Sequence, residues 1–231
     1  MKREGWTERD WWSATSSAVM LDLIRLKARQ RDRKLRLFAC AVCRALLWPY
    51  LTDGRSRRAV EDSERYADGE IPLDELNATA RAAKAAARAL KQLPAAPDSE
   101  RGAAGLVGMI PVKWGADAAL IYAAAGQLAR GGLDAPEEAR ARVERRMCDI
   151  LRDLFGPTPF RVVAFAPAWL TGDVTALARG IYAEGAFSGL PTLADALADA
   201  GCDNQEVLQH CRSGSEHWRG CWVVDGLLGR S

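Results

Sequence analysis

In Asp32-Arg33-Lys34-Leu35-Arg36-Leu37-Phe38-Ala39-Cys40-Ala41-Val42-Cys43-Arg44-Ala45-Leu46-Leu47-Trp48-Pro49, apolar side chains recur at Leu35, Phe38, Ala39, Val42 and Leu46. That spacing is one stripe of a helix with 3.6 residues per turn. The other side is mixed: Leu37, Cys40, Leu47 and Trp48 stand beside Arg33, Arg36 and Arg44. A helix apolar on more than one side is central to a core or touches a partner. Pro49 is expected to end it near Leu51.

The same periodicity extends in both directions. Upstream, Thr7 with Asp10 opens a short helix through Trp11 and Trp12, and Met20, Leu21, Ile24 and Leu26 mark a second from Ser17 to Arg29. Downstream, helices are expected over Ser56–Asp68, stopped by Gly69, and over the Ala-rich Leu73–Leu93 behind Pro72. Residues Pro94–Pro111, rich in Pro and Gly, read as an irregular connector. It separates an N-terminal helical part, 1–93, from a C-terminal part, 112–231, unless the two form one continuous domain. Further helices are expected over Trp114–Arg130, Pro136–Phe155, Asp173–Glu184, Pro191–Ala200, Asn204–Cys211 and about His217–Leu228. Only Phe160–Phe165 suits an extended segment, and one strand makes no sheet. The fold class is therefore all-α, a compact multi-helix bundle with one short extended crossing near 160–165.

Composition narrows the function classes. The chain has 231 residues, is 48% hydrophobic and 27% charged, and carries a net charge of +2. That length buries a core without disulfides, and the charge demands no acidic partner. The N-terminus has no apolar run before a small-residue cleavage site, and no stretch is long and apolar enough for a membrane span. A cytoplasmic location follows, with its six cysteines reduced.

Chemistry-bearing residues gather late. Both histidines and three cysteines (Cys202, His210, Cys211, His217 and Cys221) lie in the last third of the chain. Zinc wants about four thiolates or imidazoles converging tetrahedrally. The fallback set for such an ion is Cys202, Cys211, His217 and Cys221. The one C-x-x-C, Cys40-Ala41-Val42-Cys43, is mid-helix, its sulfurs about 60° apart around the axis. Each thiol also has a packing role: Gly201 suits a helix C′ position with Cys202 folding back, Asp203 with Glu206 suits a capping box, and Cys221 joins the apolar face of Trp218, Trp222 and Val224. Packing is the favoured expectation, with no metal and no cofactor. A nucleophile built from Cys211 or Cys221 with His217 and Asp225 lacks any supporting local signature. Asp225 itself projects into that apolar face, so it is expected to be buried and clasped by an Arg, a His or an indole N–H.

Arg25, Lys27, Arg29, Arg31, Arg33, Lys34 and Arg36 crowd one short segment, opposed within it only by Asp32. Arg29, Arg31, Arg33, Lys34 and Arg36 are the candidates for nucleic-acid phosphates; the alternative is a solvated face paired with acids such as Glu61, Asp62 and Glu64. Phosphate-loop and dinucleotide fingerprints are missing. Trp6, Trp11 and Trp12, near one terminus, could instead present a contact surface.

Two blocks carry a resemblance. One is Asp32–Cys40 with Ser56–Val60 and Glu64–Gly69; the other is Leu190–Leu197 through Gly201–Asn204 and His210–Arg212 to His217–Asp225. Together they resemble a paralogue-rich family of planctomycete bacterial proteins, which brings no activity, cofactor or catalytic residue to carry over. The family pattern has adjacent cysteines where this chain has Cys40 and Cys43, which speaks against a fixed ligand pair there. Numerous paralogues imply an adaptor or recognition role. The expectation is a non-enzymatic helical interaction protein, binding another protein or itself and no membrane. The alternatives are nucleic-acid binding through residues 25–36 and a zinc-containing protein centred on residues 202–221.

Overall fold

The computed structural model describes residues 6–27, 31–107 and 137–230. It is all-α, with no strand among those residues. In chain order the helices are α1 (Glu8–Ser13), α2 (Ser17–Lys27), α3 (Arg31–Val42), α4 (Gly54–Ala67), α5 (Leu73–Lys91), α6 (Asp98–Val107), α7 (Glu137–Phe155), α8 (Gly172–Glu184), α9 (Leu190–Asp199), α10 (Gln205–Arg212) and α11 (Trp222–Leu227). No helix among the described residues is long and apolar enough to cross a membrane. The helix expected over Trp114–Arg130 lies outside the described residues.

Helix α3 does not run unbroken to Leu51. After Val42 the chain widens into a π turn, Cys43–Leu47, then tightens into a 3₁₀ turn, Trp48–Tyr50. Pro49 explains the change: it has no N–H to donate, and its ring would meet the carbonyl four residues back. The change in winding lets the chain reach Pro49 without a broken α turn.

The connector expected at 94–111 is corrected as well, because Asp98–Val107 is helical. Ala103, Ala104, Leu106 and Val107 are all buried, while Gly105 faces open space. Burying that face outweighs the low helix propensity of Gly102 and Gly105. The chain divides elsewhere, into Met1–Leu151 and Arg152–Ser231, with α7 running across the division.

In the first unit α3 packs on α4, α4 on α5 and α5 on α6. Leu35, Phe38, Val60 and Leu76 are buried there, and the small faces Ala80, Ala83 and Ala86 of α5 are buried with them. Cys40 and Cys43 belong to this core. Burial pushes the Cys43 thiol up to about 12 and that of Cys40 well above its usual value.

The second unit is built on α8 packed against α9 and α11, and α9 against α10. The end of α9 folds as expected. Gly201 takes φ +82°, its amide donates to Ala198 O at 2.9 Å, and the Cys202 amide donates to Leu197 O at 2.9 Å. That is a Schellman ending with Cys202 at C″. The start of α10 differs from expectation. Asn204 caps it, Oδ1 accepting from Glu206 N at 3.1 Å and Val207 N at 3.3 Å, so the box proposed for Asp203 is not used. Val163, Phe165 and Ala166 of the extended segment pack on this core. The last helix is shorter than its apolar pattern suggests. Gly220, at φ +94°, turns the chain, so helix begins only at Trp222 and leaves His217 and Trp218 in a loop.

Candidate metal centre

Three segments of the second unit bring four side chains together: Asp153 from the last turn of α7, His210 from α10, and His217 with Cys221 from the loop that runs into α11. One ligand atom from each lies within 4.8 Å of all the others. His210 Nε2 is 3.1 Å from Cys221 Sγ and 3.3 Å from Asp153 Oδ1, and His217 Nδ1 is 2.6 Å from the same Oδ1. Local structure fixes each position. The Asn204 cap orients α10, Gly214 and Gly220 turn the loop at φ +66° and +94°, and the Trp218 amide donates to Asp153 Oδ2 at 2.8 Å.

Asp153 is 4% and Cys221 0% exposed. Burial alone would raise the Asp153 carboxyl, but hydrogen bonds from His210 and His217 outweigh it and hold the group below the usual carboxylate range. An ionised carboxylate therefore sits in the interior, neutralised only by what surrounds it. Burial, and then the charge of Asp153, drives the Cys221 thiol well above its ordinary value.

The donor set fits a small divalent ion. Bonds of about 2.0–2.3 Å to a tetrahedral zinc separate its ligand atoms by roughly 3.3–3.8 Å. The two contacts of His210 are close to that range, whereas the His217–Asp153 contact would have to open from hydrogen-bond length. The His217 side chain is 5% exposed, and its other ring nitrogen, Nε2, is buried with no hydrogen-bond partner among the described residues. That nitrogen points away from the Nδ1 that faces Asp153, so an ion held at Nδ1 would leave it as it is.

Nucleophilic catalysis fits less well. His210 Nε2, at 3.1 Å, is the imidazole nitrogen in contact with Cys221 Sγ, and the acid of the cluster is Asp153 rather than Asp225, so the constellation drawn from the sequence is not the one assembled. Reactive thiols are accessible and acidic; this one is neither. An open cleft lined by Phe187, Cys211, Glu216, His217 and Trp218 borders the site, but His217 Nε2 is shielded from it.

Two members of the fallback set lie in the cluster. His217 and Cys221 belong to the cluster; Cys202 and Cys211 do not. Cys202 is held in the α9 ending, and Cys211 shares the buried face of Val207 and Leu208. His210, one residue and about 100° round the helix from Cys211, is turned to the site instead. Asp153 went unread, being one of several acids on an arginine-rich helix. Its signal was an acid in a last turn, the end where the helix dipole favours cations.

Asp225 is buried at 1% exposure and is not without a partner. It sits in the first turn of α11, where the dipole favours an acid. Of the basic candidates, Arg29 and the side chain of Arg31 lie outside the described residues. Arg33 donates to Asp68 Oδ1 from Nε at 3.1 Å and Nη2 at 2.8 Å. Lys34 also has a partner. Arg36 is buried, its guanidinium 4.5 Å from the centre of the Tyr66 ring, and burial lowers it to about 10. Arg33 and Arg36 are thus engaged within the first unit. Two of the acids anticipated for that segment are engaged by arginines outside it: Glu64 takes Arg44, and Asp62 takes Arg58 and Arg65. No family model matches the chain, and no curated protein or solved structure matches it.

Proposed function

We propose that residues 152–231 form a zinc-held helical module, and that the chain works by binding rather than by catalysis. The observation that carries this reading is the buried convergence of Asp153, His210, His217 and Cys221 from three separate segments within 4.8 Å. Four protein ligands complete a tetrahedron, leaving no position for a water or substrate, which is the pattern of a structural zinc. The mixed N, S and O donors suit zinc better than calcium or magnesium, which prefer oxygen alone. When bound, the ion supplies positive charge opposite Asp153 and a cross-link between α7, α10 and the loop before α11. An interaction role, the expectation that the planctomycete resemblance also favours, follows naturally for a module whose one reactive-looking cluster is closed.

The test is metal content. Full-length protein purified under reducing conditions is expected to carry close to one equivalent of zinc, and Cys221→Ser to carry little. Wild-type protein with less than about 0.2 equivalents after incubation with zinc would remove the reading.

A further inference from the structure

We infer that Trp222 opposes metal binding at this centre and so sets its affinity; the inference rests on the zinc reading above. The indole Nε1 lies 3.1 Å from His210 Nδ1, with the two ring centroids 5.1 Å apart. An indole N–H only donates, so His210 Nδ1 accepts and presents a lone pair. The hydrogen of the neutral imidazole is then on Nε2, directed at Cys221 Sγ and Asp153 Oδ1.

An ion held at Nε2 needs that nitrogen's lone pair, which leaves the hydrogen on Nδ1. It would point at the indole hydrogen, donor against donor. Ligating imidazoles ordinarily give their second N–H to a carbonyl or carboxylate; here a donor occupies that place. Trp222 is not free to step aside. It is 6% exposed, and its ring lies against Gly156, where an added Cβ would be 2.6 Å from the indole Cγ. The Phe165 ring closes another side, its centroid 6.3 Å away. His210 must therefore bind the ion at the expense of its own hydrogen bond to Trp222.

Trp222→Phe keeps an aromatic ring and removes the N–H. Measured by competition with a chromogenic chelator, its zinc affinity is expected to exceed that of wild type about tenfold, the worth of one such polar conflict. A variant with equal or weaker affinity and a native circular-dichroism spectrum overturns the inference. The second arm needs no substitution. In full-length protein labelled with ¹⁵N, the Trp222 indole resonance is expected to shift to that of an N–H without an imidazole acceptor when zinc is added; an unmoved resonance at full occupancy overturns the inference as well. Wild-type zinc content, measured first, separates either result from failure of the metal reading itself.

Discussion

Asp153 illustrates how one side chain holds a site together. Its Oδ2 accepts the Trp218 amide while Oδ1 faces both imidazoles. Removing one partner of a buried charged cluster leaves the others unsatisfied, at a cost of about 3–5 kcal/mol. Asp153→Asn, similar in size, is therefore expected to lose zinc and to unfold at lower urea; unchanged metal content and midpoint would show that the carboxylate is dispensable. Asp62 is a comparable case in the first unit. Burial raises its carboxyl, but hydrogen bonds from Thr79, Arg58 and Arg65 prevail and hold it below 3.8. A depressed carboxyl stabilises the fold above its unfolded value and loses that contribution as pH falls through the folded value. The Asp62 contribution is thus present at neutral pH and is lost progressively as pH falls below about 4. Asp62→Asn should cost about 1–3 kcal/mol at pH 7 and progressively less as pH falls below about 4, as read by denaturant melts along that series. A loss that does not change with pH would assign the effect to packing.

Among the elements, two helix endings that look alike in sequence carry different loads. Gly156 after α7 and Gly201 after α9 both take left-handed φ, +50° and +82°. A Cβ on Gly201 would meet nothing within 4 Å, so Gly201→Ala is expected to cost only the backbone strain, about 1 kcal/mol. A Cβ on Gly156 would drive into the Trp222 ring, adding an overpacking cost of about 1–3 kcal/mol to the same strain. Thermal melts of the two variants should rank in that order; a reversal would mean that Trp222 yields freely. The reading of α3 has a similar lesson. Its stripe correctly marks a central helix, but its basic flank is partly internal, with Arg33 on Asp68 and Arg36 over Tyr66. Charge in a sequence does not reveal which side chains fold inward to pair.

At the level of the whole molecule, a structural ion of the kind proposed would link metal supply to stability. At free zinc a hundredfold above its dissociation constant, the folded second unit should gain about 2.7 kcal/mol over the stripped form. Hydrogen exchange across residues 152–231, with and without chelator, should show faster opening around Asp153, His210 and the loop through Cys221 once the ion is removed. Identical exchange would mean that packing alone holds the loop. Much of this architecture was legible beforehand. Periodic apolar spacing, with Pro72, Gly69, Gly156 and Gly201 as punctuation, is local information, so the all-α class and most helix positions follow from the amino-acid order itself. The helix at 98–107 and the short α11 escaped because burial overrode glycine in one case and Gly220 overrode apolar spacing in the other. The site was legible only as a region. His217 and Cys221 stood out by type, but their union with His210 and Asp153 spans more than fifty residues of chain. Which donors converge depends on how α7, α10 and α11 pack, because a single residue's step round a helix turns a side chain by about 100° and exchanges Cys211 for His210. Order along the chain therefore determined the helices; tertiary packing alone decided which of their side chains face a common point.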